Sequence, residues 1–195
     1  MNLFDDINRN KANLFWHIID IFSGLLSVFG IFYESYIGKE YEKEKKAFNI
    51  KNNQSILHIG CGAYPITAII LSKYTNKKIV AIDKNPFVVR VANNVIKKKK
   101  FHTKIRVEHG DGSVYNISDY DIIIISSCTI PKEKVIEHVI TNAKSNSTII
   151  IRELFSEVAH LKDTIQLFDG IRKNGEIDSH VFPNLHWRSL CFRKK

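Results

Sequence analysis

The stretch Ile56-Leu57-His58-Ile59-Gly60-Cys61-Gly62-Ala63-Tyr64-Pro65 constrains the fold of this chain more than any other. A short apolar strand runs into a Gly-x-Gly turn, and Pro65 stands where the first turn of a helix tolerates proline. Glycine at 60 permits a tight turn, and glycine at 62 lets backbone approach a ligand with no Cβ between them. A strand, a glycine turn and a helix in that order make a nucleotide pocket. The two glycines alone carry little weight, because many strand-to-helix turns bind nothing. The acids and serines further along the chain decide the case.

Beyond the turn the pattern is regular. Strands are predicted at 55–59, 78–83, 104–108, 120–126 and 147–152, with helices over 65–75, 86–98 and 131–143 and a short helical turn near 113–118. Such alternation indicates a parallel sheet covered on both faces. The β-branched run Ile122 to Ile125 suits a central strand buried on both sides. A helix near 158–172 comes next, and segments 176–182 and 186–193 form a hairpin around Pro183-Asn184, predicting one antiparallel edge strand.

Ahead of this unit, residues 12–33 hold Asp20 as their only formal charge between Lys11 and Glu34. Leu14, Ile18, Ile21, Leu25, Val28 and Phe32 recur at helical spacing, and a polar and small-residue strip runs along the opposite side. That spacing and the central carboxylate favour a buried helix or helical hairpin, broken near Gly24 or Gly30, over a membrane span. Acidic Asp5 and Asp6 before it do not fit a signal peptide. Residues 34–48 turn polar and read as a solvated connecting helix. The expected division is a helical cap over 1–50 and a nucleotide-binding domain over 51–195.

The chemistry-bearing residues fall at the carboxyl ends of the strands, where a doubly wound sheet binds ligands. Gly60 and Gly62 follow the first strand, Asp83 and Lys84 end the second, Asp111 and Gly112 lie just past the third, and Ser126 and Ser127 end the fourth. Asp83, 23 residues after Gly60, is placed to accept both ribose hydroxyls. Asp111 is placed to accept from the exocyclic amino group of adenine. Each acid has a plainer reading: Asp83 as a helix cap before Asn85-Pro86, Asp111 as a turn former. A dinucleotide fingerprint needs a third glycine, and here Tyr64-Pro65 stands instead. No Gly-Lys-Ser/Thr comes after the glycines, which argues against a nucleoside triphosphate. Between a dinucleotide and S-adenosylmethionine, the turn therefore disfavours the dinucleotide.

With these residues in place, the chain over 51–195 resembles the class I S-adenosylmethionine-dependent methyltransferases. The resemblance implies a Rossmann-like, doubly wound α/β fold with a seven-stranded sheet and a short N-terminal helical cap. It extends the cofactor contacts to Gly60, Cys61, Gly62, Tyr64, Pro65, Asp83, Lys84, Asp111, Gly112, Ser126 and Ser127. His58 stands where that family usually has an acid.

Within it, Ile59-Gly60-Cys61-Gly62-Ala63-Tyr64-Pro65-Ile66-Thr67, Pro131-Lys132-Glu133-Lys134-Val135 with Glu137-His138, and Ile150-Ile151-Arg152 are similar to nicotianamine synthase. Those enzymes transfer an aminocarboxypropyl group and carry a larger helical domain ahead of the sheet. Tyr36 corresponds loosely to a tyrosine ahead of their glycine turn. Tyr36, with Tyr33 beside it, and Arg152, which could hold a substrate carboxylate, are the candidate catalytic groups. Arg152 could also form a surface ion pair with Glu153 or Glu157.

A small-molecule methyl acceptor is the first expectation, aminocarboxypropyl transfer the second, and an RNA methyltransferase or a non-catalytic binding subunit the third. The net charge of +9 permits nucleic acid, with Lys97 to Lys100 as the best patch, but the fourth strand ends in Ser-Ser-Cys-Thr and lacks the Asn/Asp-Pro-Pro-aromatic motif of base methylation. Cys61, Cys128 and Cys191 form neither a disulfide framework nor a zinc pattern, so no metal is expected and a reducing cytoplasm fits. The apolar N-terminal helix is a candidate homodimer contact.

Overall fold

The computed structural model describes residues 27–182 and 185–195. Most of the predicted helix over 12–33, including Gly24, lies outside them. Helix α1 (Ser27–Ala47) is followed by β1 (Ile56–Ile59), α2 (Ile66–Leu71), β2 (Ile79–Asp83), α3 (Pro86–Lys98), β3 (Ile105–His109) and β4 (Ile122–Ile125). Then come α4 (Lys132–Asn142), β5 (Thr148–Leu154), α5 (Val158–Gln166), β6 (Ile171–Phe182) and β7 (Leu185–Lys194). The strands form one seven-stranded sheet in the order β3-β2-β1-β4-β5-β7-β6.

Strands β1 to β5 are parallel. β7 runs antiparallel between β5 and β6. The antiparallel strand is therefore the penultimate one, a correction to the edge position expected from sequence; β6 takes the edge.

The sheet has an apolar layer on each face, because alternate strand residues point oppositely. Ile56, Ile79, Ala81, Ile124, Ile150 and Cys191 pack with residues of α1, α2 and α3. Leu57, Val80, Ile123, Ile125, Ile149 and Leu190 pack with α4 and α5 on the other face. Ile122 to Ile125 are essentially inaccessible, and full burial of each such side chain is worth about 1.5–3 kcal/mol.

Several boundaries differ from the sequence reading. The segment near 113–118 is a turn without helix, and the helix predicted to run to 172 stops at Gln166, after which β6 begins at Ile171. Helix α1 runs unbroken through Gly30.

Residues 34–47 are not a solvated connector. Ile37 is buried, and a Cβ on Gly38 would lie 2.9 Å from Ile70 Cδ1, so α1 packs closely on α2. Polar residues of α1 also have partners on the sheet domain. Tyr64 donates to Glu34 at 2.6 Å, Lys99 pairs with Glu34 at 2.7 Å, and Tyr74 donates to Glu42 at 2.9 Å. Burial, with Glu34 beside it, pushes the Tyr64 phenol up from its usual pKa. No helix among the described residues is long and apolar enough to cross a membrane.

Candidate active site

Two adjoining clefts open at the carboxyl ends of β1, β2 and β4, and share Gly60, Asp83 and Cys128 in their walls. Their positions follow from the glycine turn. Gly60 has φ +75° and Gly62 φ +70°, a left-handed backbone that glycine adopts without a Cβ penalty. A Cβ at Gly60 would also lie 2.5 Å from Thr129 Oγ1.

The outer cleft is bordered by Lys84, Asp111, Gly112, Ile130 and Val135. Asp83 Oδ2 accepts from Gly62 N–H at 3.1 Å and Oδ1 from Asn85 N–H at 3.0 Å, which ties the carboxylate to the turn. The cap of α3 is Asn85, whose side chain accepts from Phe87 N–H; Asp83 does not take that role. Asp111 Oδ1 accepts from the Ser113 backbone N–H and hydroxyl, and these bonds hold its carboxyl below the usual range. Lys84 donates to the Ile130 carbonyl at 2.6 Å.

The inner cleft lies under α1 and is lined by Tyr41, His58, Thr67, Ser126, Arg152 and Trp187, among others. Arg152 is buried beside Glu44 of α1: its Nε donates to Glu44 Oε2 at 2.9 Å and its Nη2 to Oε1 at 2.7 Å. Nη1 donates to Thr67 Oγ1 at 2.7 Å, and the guanidinium lies 4.0 Å from the Tyr41 ring centroid. Ser189 adds a hydrogen bond to Glu44 Oε2 at 2.5 Å. Arg152 is thus an organised wall of the cleft, paired with neither Glu153 nor Glu157 as a surface side chain. Glu153 instead meets Lys132 at 3.3 Å, and Lys132 also donates to the carbonyls of Ser126 and Arg152, each at 2.7 Å.

Of the expected site residues, the clefts bring together Gly60, Cys61, Gly62, Tyr64, Asp83, Lys84, Asp111, Gly112, Ser126, Ser127 and Arg152. Pro65 precedes α2 and supports the turn behind them. Tyr36 is 48% exposed and lines neither cleft; the tyrosine that reaches the inner cleft from α1 is Tyr41. The Tyr33 side chain lies outside the described residues. Sequence reasoning missed Tyr41, Glu44, His58, Thr67 and Trp187 as site components. Thr67 closes the Gly-x-Gly-x-x-Pro-Ile-Thr motif, and its contact with Arg152 explains its place there.

A family model described as a methyltransferase domain matches residues 50–179. The chain belongs to this family. No curated protein matches it in sequence. Among solved structures, MtNAS in complex with MTA and tNA is 16% identical with a TM-score of 0.77, covering 95% of this chain and 74% of the other. The YcgJ protein from Bacillus subtilis is 12% identical with a TM-score of 0.66, covering 81% and 99%. TYW2 of M. jannaschii in complex with AdoMet is 19% identical with a TM-score of 0.59, covering 79% and 75%. At these identities the likeness concerns the fold alone, a Rossmann-like α/β sheet.

Proposed function

We propose that this chain is an S-adenosylmethionine-dependent methyltransferase acting on a small-molecule acceptor. The observation that carries the reading is the pair of adjoining clefts meeting at Gly60 and Asp83. One has an apolar border at Ile130 and Val135 with a carboxylate at Asp111; the other carries the polar side chains of His58, Thr67, Ser126 and Arg152 and is bordered by Tyr41 of α1. The residues suit the cofactor. Asp83, fixed by two backbone N–H groups, keeps lone pairs for ribose hydroxyls, and Asp111 and Lys84 border a space of adenine character. The Cβ-free turn at Gly60 to Gly62 leaves room for close backbone approach.

The cofactor supplies a sulfonium already activated toward a nucleophile. The protein's part is to align the acceptor and exclude water, and alignment alone is worth about 7–11 kcal/mol in favourable cases. Tyr41 of α1 and Trp187 border the inner cleft, while the Arg152–Glu44 pair fixes its wall without exposing an unneutralised charge. Arg152 is here a positioning residue, and Tyr36 stands outside the clefts as a candidate contact for a larger acceptor.

A second reading, transfer of the aminocarboxypropyl group, is favoured by Thr67: the Gly-x-Gly-x-x-Pro-Ile-Thr motif ends on a residue that binds Arg152 within the inner cleft. The deciding experiment is mass spectrometry of the purified protein incubated with S-adenosylmethionine and a cell extract. S-adenosylhomocysteine accumulates if methyl is transferred. Methylthioadenosine above an enzyme-free control would overturn the first reading in favour of the second, and neither product would overturn both.

A further inference from the structure

We propose that Ser126 donates its hydroxyl hydrogen to the carboxylate at the amino-acid end of an S-adenosyl ligand, and that His58 fixes it in that role. The inference rests on the S-adenosyl reading above. His58 follows Ile56 on one face of β1, the face that also carries Ile124, Ile150 and Arg152. It is 2% exposed, and its Nε2 lies 2.7 Å from Ser126 Oγ. Its other ring nitrogen, Nδ1, is buried with no hydrogen-bond partner among the described residues.

A neutral imidazole carries one N–H and one lone pair, so the tautomer decides which of them is left alone at Nδ1. A proton there would be a buried donor with no acceptor, set in the positive field of Arg152. A lone pair at Nδ1 is stabilised by that same field. Burial first, and the Arg152 charge second, hold His58 well below the ordinary histidine pKa, so the ring is neutral. The proton therefore sits on Nε2 and is given to Ser126 Oγ.

The remaining groups of Ser126 are already engaged. Its N–H donates to the Ile59 carbonyl at 3.1 Å, and its own carbonyl accepts from Lys132 Nζ at 2.7 Å and from Thr129 N–H at 3.3 Å. With Oγ accepting from His58, the hydroxyl hydrogen is what Ser126 has left to give, and Ser126 lines the inner cleft. Glu44 and Thr67 already engage Nε, Nη1 and Nη2 of Arg152, so recognition of an anionic end falls to other directional donors. A carboxylate is the anionic group an S-adenosyl ligand carries, and a hydroxyl donor to it makes a charge-assisted bond. Ser126 contacts the ligand; His58 is a positioning residue.

The test is calorimetric titration of wild-type protein and variants with S-adenosylhomocysteine and with methylthioadenosine, which lacks the amino-acid end. Ser126→Ala is expected to weaken S-adenosylhomocysteine about tenfold or more while leaving methylthioadenosine within about twofold. His58→Leu is expected to give the same ligand-selective loss in smaller degree, and His58→Gln, which keeps an N–H donor, to restore most of it. Nitrogen-15 spectra of wild-type His58 should place the proton on Nε2. Equal weakening of both ligands, no weakening of either, or a proton on Nδ1 would overturn the inference. Failure of the wild type to bind either ligand would overturn the S-adenosyl reading and the carboxylate role with it; binding of both that ignores Ser126→Ala overturns the carboxylate role alone.

Discussion

Arg152 on β5 and Glu44 on α1, 108 residues apart in sequence, meet in a two-point ion pair that solvent barely reaches. Taking both charges out of water is costly, and the pair is tolerable because Thr67, Ser189 and the Tyr41 ring satisfy what the two partners leave over. Removing one member strands the other. Glu44→Ala is expected to destabilise the fold by about 3–5 kcal/mol in urea denaturation, and Glu44→Met combined with Arg152→Met to recover most of that loss. A loss below about 1 kcal/mol for Glu44→Ala, the level of a surface pair, would contradict the burial described.

The glycine turn makes a separate prediction. Gly60→Ala imposes two penalties, a left-handed backbone and a Cβ against Thr129 Oγ1. Together they are expected to cost about 1–3 kcal/mol and to weaken S-adenosylhomocysteine. Adding Thr129→Ala removes the contact and should return part of the stability. If the double variant is no more stable than Gly60→Ala, the close approach to Thr129 is not what requires glycine.

Asp83 is expected to be the most sensitive cofactor contact. Asp83→Ala should weaken S-adenosylmethionine at least about tenfold, or 1.4 kcal/mol, by calorimetry. Asp83→Asn should fall between, since an amide oxygen still accepts from Gly62 N–H. Unchanged affinity in Asp83→Ala would remove the ribose assignment.

His58 adds a dependence on pH. Its folded pKa lies below the unfolded value of about 6.5, so the unfolded chain takes up a proton that the folded chain refuses. Stability from this group is complete above that value and declines as pH falls through it, by about 1.4 kcal/mol per pH unit. Urea midpoints measured between about pH 7 and pH 5 should fall less steeply for His58→Leu than for the wild type. Parallel slopes would mean that His58 protonates freely in the folded state.

Much of this site is legible in sequence because its signals are local. Gly60, Gly62 and Pro65 announce a strand-to-helix turn, and Asp83, Asp111 and Ser126 occur where strand ends place ligands. Helix α3 matches its predicted bounds, since Asn85 and Pro86 mark its start and Val88, Val91, Ala92 and Val95 give it one buried side. The inner cleft is illegible for the opposite reason. Glu44 sits in a run of charges that reads as solvated, and its burial depends on Arg152 and Ser189, which no spacing rule connects to it. Tyr36 and Tyr41 lie on the same helix, and only the docking of α1 decides that Tyr41 faces inward. The start of β6 is masked in sequence because Arg172, Lys173 and Asn174 are polar and the ladder is irregular between Lys173 and Gly175.

Lys132 is the quiet member of this arrangement. Its ammonium is held by the carbonyls of Ser126, Ser127 and Arg152 and by Glu153, at 2% side-chain exposure, whereas the other lysines among the described residues largely face water. An amine so enclosed is closed to acylating reagents while the sheet is intact. Its labelling rate is therefore a clock for the separation of β4 from β5, running inside the protein at the very ends of the strands that frame the clefts.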